Sequence, residues 1–542
     1  MCKMYFPQYK KGRGGIPLHR GLTILEHLRE IDLQINSECG GKGTCGKCRV
    51  RIEKGKENLG KLTEAEKKFL LPSGERLACQ ARIIKDVKDM RVLIKEFGKY
   101  EILKTVSERK IPLSPSVYQK EKKVFYNDEL LDDYRGKIYG LAIDIGTTTL
   151  VFDLINLENG NVLATIAKTN PQISYGNDVI SRIAYTMVDN KKNEYFPEEE
   201  KKIRLKELQK TVINGINESL KEIENRRGET VCPFIYEVVV VGNSTMRNIF
   251  FGIDVSSLGI KPYEPIQKEA VTKKAKEVGL KINSEALVYG APLIGGQAGA
   301  DILANVLASG MYENKEIGMI IDIGTNGEIV LGNSQRLISA SAAAGGAFEG
   351  TTISSGLGAI QGAIKDVIIK DGKTIYHTIG DIYPKGICGS GLIDLLAELL
   401  KNNIMSKKAK IKDDFYVANG IKLTQTDIYQ LITAKAGFRT DQNLLLKYYG
   451  IAAKDLEKVY LSGGFGNFIN ATNAMKIGLL PEIEEKRVVK FGNGALEGAR
   501  EMLISRKSRE KAEEIVKRIE HMKPNEKEKD FDYIIAENMY FK

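Results

Sequence analysis

The pentapeptide Ile-Asp-Ile-Gly-Thr occurs twice in this 542-residue chain, at 143–147 and at 321–325, a spacing of 178 residues. Each copy closes an apolar run of the kind that forms a buried strand, and each is followed by a second β-rich run, 150–154 and 329–331. A single Asp-Gly turn carries little information. Two in the same context imply a duplicated domain, since each copy is one strand–turn–strand unit. The chemistry of the unit follows from its atoms. A glycine turn offers backbone N–H groups, and here threonine hydroxyls, to phosphate oxygens. An aspartate at a strand end can hold Mg²⁺, directly or through water. Two such loops facing each other clamp a nucleotide polyphosphate. On this reading Asp144 and Asp322 are the catalytic carboxylates and Glu328 orients water or metal. Gly146, Thr147, Thr148, Gly324, Thr325 and Asn326 take the phosphates.

A third run, 458–467, is a strand entering a Gly463-Gly464-Phe465 turn, whose bare backbone can approach a base or ribose closely. In this order the three elements resemble the actin-like ATPase superfamily, which also holds sugar and acetate kinases and heat-shock chaperone ATPases. The resemblance implies ATP as the ligand, with Gly463, Gly464 and Phe465 at the adenosine. It also implies two ribonuclease-H-like α/β halves, about 137–315 and 316–504. The Lys/Glu-rich stretch 505–530 that follows reads as a solvated helix and a charged tail.

The N-terminal region carries a different chemistry. Cys39, Cys45, Cys48 and Cys79 are spaced C-x5-C-x2-C-x30-C, with glycines at 40, 41, 43 and 46. Clustered cysteines in a chain with no visible secretory signal point to a metal centre rather than disulfides. Four thiolates suit a [2Fe–2S] cluster, and the glycines let the loop wrap tightly and bring N–H groups to the sulfurs. Structural zinc is the competitor, but zinc ribbons pair two C-x2-C knuckles and only Cys45/Cys48 form one here. A near-match to a phosphate-binding P-loop at 41–48 fails at its last position, where Cys48 stands in place of a Ser or Thr hydroxyl. Capping-box pairs Thr23/Glu26 and Thr63/Glu66 predict two short helices around the cysteine loop. Residues 3–96 resemble adrenodoxin- and plant-like ferredoxins, a β-grasp fold, with one extra residue in the first cysteine interval. The resemblance makes Cys39, Cys45, Cys48 and Cys79 the cluster ligands.

Charge separates the same regions. The chain has 81 Lys and Arg against 70 Asp and Glu, a balance of +11, and residues 1–96 alone hold 21 against 12. The surplus therefore belongs to the cysteine module. It reads as a docking surface for an acidic, low-potential electron donor. Nucleic acid is not an expected partner, since no aromatic-rich basic groove accompanies the charge. No run reaches the roughly 18 apolar residues of a membrane helix, so the reading is cytoplasmic with no membrane partner. The four scattered histidines argue against a His-based metal site or a Ser-His-Asp triad. Residues 97–136, charged and broken by Pro112 and Pro115, read as a linker with one short helix. Asp178 and Arg182, four apart, read as a helix ion pair.

The expected fold is thus multidomain, α+β and α/β. A β-grasp ferredoxin domain (1–96) and the linker (97–136) precede a duplicated ribonuclease-H-like, actin-like ATPase domain (137–542). Further stretches at 170–182, 241–246, 295–301, 341–350 and 386–392, combined with the cysteine module, resemble the reductive activators of corrinoid proteins over nearly the whole chain. Larger members of that family carry an extra small domain after the linker, for which the 40 residues here leave no room. The resemblance implies ATP-driven delivery of one electron from a [2Fe–2S] cluster, returning inactive Co(II) to Co(I), with ATP and Mg²⁺ as cofactors. It implies as partner a corrinoid iron–sulfur protein or a methyltransferase corrinoid subunit. Plant-type centres lie near about −400 mV, and the resemblance implies a cobalt couple lower still. Each 100 mV uphill costs roughly 2.3 kcal/mol per electron, which ATP can offset only by favouring the product complex. The alternatives are an activator of another low-potential metalloenzyme and a small-molecule kinase with a fused ferredoxin.

Overall fold

The structure is a computed structural model describing the chain except residues 1, 8–9, 32, 34, 36–40, 45, 47, 70, 72–73, 95–108, 190–193, 297, 325–326, 343–344, 351, 464–467 and 542. Residues 1–98 with 169–215 form one compact unit, and 99–168 with 216–542 form a second.

In the first unit, strands β1 (Lys3–Tyr5), β2 (Ile16–Pro17), β3 (Arg49–Lys54), β4 (Glu75–Leu77) and β5 (Met90–Ile94) make one sheet in the order β2-β1-β5-β3-β4. β1 runs parallel to β5, while β3 is antiparallel to both β4 and β5. Helices α1 (Ile24–Glu30) and α2 (Glu64–Lys67) start at the expected capping boxes: Thr23 and Thr63 accept from the N–H of Glu26 and Glu66, whose carboxylates reach back. Glu66 is buried and holds the Arg76 guanidinium at 2.8 Å and the Leu77 N–H at 3.0 Å, which anchors the strand leading to Cys79. The core includes Met4, Phe6, Ile24, Leu28, Val50, Leu77 and Val92, all at most 1% exposed.

The same unit contains α3 (Val179–Met187) and the N-terminal half of α4 (Glu198–Arg227). Here the expected ion pair has a different form. Asp178 caps α3 by accepting from Ser181 N–H at 2.6 Å. The fully buried Arg182 donates to the Gly176 carbonyl at 2.9 Å and to Gln172 Oε1 at 3.2 Å, bracing the 170–178 loop. Arg29 of α1 donates to the Ser174 carbonyl and lies over the Tyr175 ring.

The second unit begins with a three-stranded meander, β6 (Val117–Lys120), β7 (Lys123–Tyr126) and β8 (Glu129–Asp133). Residues 117–133 of the expected linker are thus a small sheet, while 97–108, where the expected short helix could fall, lie outside the described residues. Val117 and Val124 are buried, and Asp132 accepts from Tyr236 at 2.9 Å.

Two six-stranded sheets follow. The first contains β9 (Tyr139–Ile145), β10 (Thr149–Asn156), β11 (Val162–Thr169), β12 (Ile235–Gly242), β13 (Val271–Lys274) and β14 (Leu287–Gly290), in the order β11-β10-β9-β12-β14-β13. The second contains β15 (Gly318–Ile323), β16 (Gly327–Gly332), β17 (Leu337–Ala342), β18 (Lys458–Ser462), β19 (Val488–Gly492) and β20 (Ile519–His521), in the order β19-β18-β15-β16-β17-β20. Both sheets share one plan. A first strand (β9, β15) is antiparallel to its successor and parallel to a later strand (β12, β18) on its other edge. The duplication legible in the pentapeptides is therefore a duplication of topology.

Helices α5 (Ala300–Ser309), α6 (Gly389–Lys401), α7 (Gln425–Tyr449), α8 (Gly494–Ile504) and α9 (Arg506–Arg518) pack on these sheets. The solvated-tail reading also needs correction. α9 buries Arg509, Ala512 and Ile515, and β20 pairs in parallel with β17. Arg509 Nη2 lies 2.6 Å from Glu237 Oε1, a carboxylate inside the otherwise apolar β12, and this pair ties α9 to the first sheet. No described helix is long and apolar enough to cross a membrane.

Candidate functional site

β9 and β15 deliver Asp144 and Asp322 to equivalent strand ends. Each is held by an asparagine from far along the chain. Asn493 Nδ2, just before α8, donates to Asp144 Oδ2 at 3.0 Å. Asn305 Nδ2, on α5, donates to Asp322 Oδ2 at 2.7 Å, and the Ser462 hydroxyl at the end of β18 donates to the same oxygen at 3.2 Å. α5 follows β14 of the first sheet and Asn493 follows β19 of the second, so each sheet's aspartate is oriented by a segment that continues from the other sheet.

Glu328 stands directly opposite Asp322 in the β15–β16 ladder. It is buried, and its Oε1 has no hydrogen-bond partner among the described residues. Burial pushes its carboxyl well above the usual range, and the charges of Asp301, Asp322, Glu349 and Asp144 add to the effect. Burial also raises Asp144 to about 7, against the Asn493 hydrogen bond and with help from Asp322. Asp301, in the first turn of α5, is raised by burial and by Asp144 and Asp322. These carboxylates disfavour one another's charge, a repulsion that a nearby cation would relieve, although no three of them are placed to ligate one metal. The orphaned Glu328 oxygen fits the same requirement, and hard oxygen donors suit Mg²⁺.

The turn after β9 is built for close approach. A Cβ on Gly146 would sit 2.6 Å from the Thr149 carbonyl. Thr147 Oγ1 accepts from Asn243 Nδ2 at 2.9 Å, and Thr148 Oγ1 donates to Glu349 Oε2 at 3.2 Å. Gly463 has φ +117°, and a Cβ there would lie 2.4 Å from the Ile323 carbonyl, so this turn abuts the end of β15. Gly324 follows β15 directly. Thr325, Asn326, Gly464 and Phe465 lie outside the described residues.

In the first unit, Cys48 and Cys79 are buried with their sulfurs 3.3 Å apart. Cys39 and Cys45 lie outside the described residues, and among the described residues no group of three His, Cys, Asp or Glu is placed to hold a metal. The surrounding loop fits a cluster: Gly41, Gly43 and Gly46 all have positive φ, between 66° and 102°. A Cβ at Gly46 would collide with the Phe69 ring at 2.4 Å. Two converging soft donors in a glycine-wrapped loop suit iron and sulfide.

The structure thus brings Asp144, Asp322 and Glu328 together and adds Asp301, Asn305, Ser462 and Asn493, which sequence reasoning did not assign. A signal existed for two of them: the small-residue run 295–301 and the run 492–495 each open a helix that carries or follows an asparagine.

Fold and site together define a ferredoxin-type domain joined to an actin-like ATPase. Comparison with known proteins agrees. Residues 15–83 match the 2Fe-2S iron-sulfur cluster binding domain, 139–314 the RACo middle region, and 316–542 the C-terminal domain of RACo, the ASKHA domain. The corrinoid activation enzyme RamQ of Eubacterium limosum is 32% identical, covering 88% of this chain and 89% of its own. The [Co(II) methylated amine-specific corrinoid protein] reductase of Methanosarcina barkeri is 30% identical over 70% of this chain and 73% of its own. A solved reductive activator for corrinoid, iron-sulfur protein superposes with a TM-score of 0.72 at 29% identity, covering 100% of this chain and 98% of that one. The chain belongs to this family, the reductive activators of corrinoid proteins (RACo).

Proposed function

We propose that this chain uses ATP to reactivate a corrinoid protein, passing one electron to the substrate cobalt and converting Co(II) to Co(I). The observation that carries the reading is the union, in one chain, of a buried thiol pair in a glycine-wrapped loop with two asparagine-held aspartates at the equivalent ends of duplicated strands. A kinase needs the second and has no use for the first.

Cys39, Cys45, Cys48 and Cys79 are the proposed ligands of the [2Fe–2S] cluster, which when bound supplies a one-electron donor. Asp144 and Asp322, oriented by Asn493 and Asn305, position Mg²⁺ and the polyphosphate. Gly146, Thr147, Thr148, Gly324, Thr325 and Asn326 line the phosphates, and Gly463, Gly464 and Phe465 receive the adenosine. Glu328 would orient the attacking water or help hold Mg²⁺. The domain boundaries we propose are 1–96 for the ferredoxin domain and 137–542 for the ATPase, its C-terminal region now including α9 and β20. Nucleotide binding aids an uphill transfer only if the closed state binds the Co(I) product complex more tightly than the Co(II) complex. The basic 1–96 segment would accept an acidic low-potential donor.

The test is a pull-down from native extract with the tagged holoprotein, with and without ATP. The bound fraction should carry a corrinoid absorbance spectrum. Capture of no corrinoid protein under either condition contradicts the reading.

A further inference from the structure

Gln80 follows the proposed ligand Cys79, and its backbone is pinned: Ala78 N–H donates to the Cys48 carbonyl at 2.7 Å, and Gln80 N–H to the Leu77 carbonyl at 2.9 Å. Its carboxamide is pinned as well. Nε2 donates to the Gly41 carbonyl at 3.1 Å and to Cys79 Sγ at 3.6 Å, while Oε1 lies 3.4 Å from the Thr63 hydroxyl. The Gly41 carbonyl can only accept, so it fixes which end of the amide is nitrogen. Both N–H bonds are then used, one on the cysteine loop and one on the sulfur. The loop leaves room for this group: a Cβ on Gly43 would lie 2.7 Å from Gln80 Nε2.

We infer that Gln80 is a potential-setting residue, whose N–H···S hydrogen bond to Cys79 raises the reduction potential of the cluster. Reduction adds a negative charge that spreads onto the ligand sulfurs. A donor aimed at one of them therefore stabilises the reduced form more than the oxidised form. The amide also ties the sulfur to the Gly41 carbonyl and to Thr63 at the start of α2, so its dipole is fixed before the electron arrives. Gln80 acts through Cys79 and is a positioning residue.

The inference rests on the [2Fe–2S] assignment and not on the identity of the cobalt partner. Wild-type protein with about two irons per chain establishes the cluster; a different count would overturn that assignment separately. The experiment is a spectroelectrochemical titration of the full-length holoprotein as wild type, Gln80→Leu and Gln80→Glu. Leu removes the donors, and Glu keeps the shape while replacing them with acceptors. Both variants should keep two irons and shift the midpoint potential to more negative values. In resonance Raman spectra, an Fe–S(Cys) band sensitive to D₂O exchange in the wild type should lose that sensitivity in Gln80→Leu. An unchanged midpoint in Gln80→Leu with the cluster intact overturns the inference. Loss of iron from both variants also overturns it, since Gln80 would then be scaffolding alone.

Discussion

Asp144 carries its charge at a cost. Burial raises its carboxyl to about 7, and the Asn493 hydrogen bond only partly compensates. A raised carboxyl contributes stability that is fully present below the unfolded pKa near ~4 and is lost as pH rises through about 7. In nucleotide-free protein, Asp144→Asn should therefore stabilise the ATPase module by roughly 1–3 kcal/mol at pH 8 and by little at pH 4. Urea unfolding at the two pH values checks this. The same variant should lose ATP hydrolysis by about a hundredfold or more, read by phosphate release, because a neutral amide cannot replace the carboxylate toward Mg²⁺. Gain of stability with loss of activity marks a site kept for function. Asp144 and Asp322 stand out in the sequence because they ride on a repeated local pattern, whereas Glu328 has no counterpart in the first copy, where Leu150 stands. The small-residue runs around Asp301 and Asn493 show only that helices open there; what Asn305 and Asn493 do lies in contacts across the chain, Asn493 being 349 residues from Asp144.

Among the elements, the crossing of α5 and α8 controls the site, since one carries Asn305 and the other follows Asn493. The helices meet at glycines. A Cβ on Gly498 would lie 2.2 Å from the Ala304 carbonyl, and one on Gly494 the same distance from Asn305 Oδ1. Helix propensity alone says Gly498→Ala should stabilise by about 0.8–1 kcal/mol. The contact says the opposite, since overpacking against backbone costs roughly 1–3 kcal/mol. We expect net destabilisation in urea and a several-fold fall in ATP hydrolysis as Asn305 is displaced. The strands around the pentapeptides were readable from runs such as Val238–Val239–Val240–Val241, buried on both faces. The meander β6–β8 and the α9–β20 segment were not. Their sequences are dense in Lys and Glu, and only a few side chains, such as Val124, Ala512 and Ile515, are buried. What holds them is long-range: Arg509 on Glu237 and Tyr126, and Ile519 against Leu337.

At the scale of the whole molecule, the +11 balance describes no single surface, because most of it lies in residues 1–96. Electron uptake from an acidic protein donor should therefore slow as ionic strength rises from about 0.01 to 0.15 M, where the screening length falls to roughly 8 Å. Stopped-flow reduction of the holoprotein reads this, and a salt-independent rate would leave the charge as solvation. Two chemistries meet in one chain, and the proposed function requires nucleotide binding at the carboxylates to drive an electron transfer that starts at the cysteine loop. Its most direct measurement is the equilibrium extent of Co(II) to Co(I) conversion, followed by visible absorbance, in a mixture of holoprotein, corrinoid protein and a low-potential reductant, with and without Mg-ATP. Mg-ATP should give a clearly larger Co(I) fraction, and Asp144→Asn should show no such gain. An extent of reduction that is the same with and without Mg-ATP would contradict the proposed function.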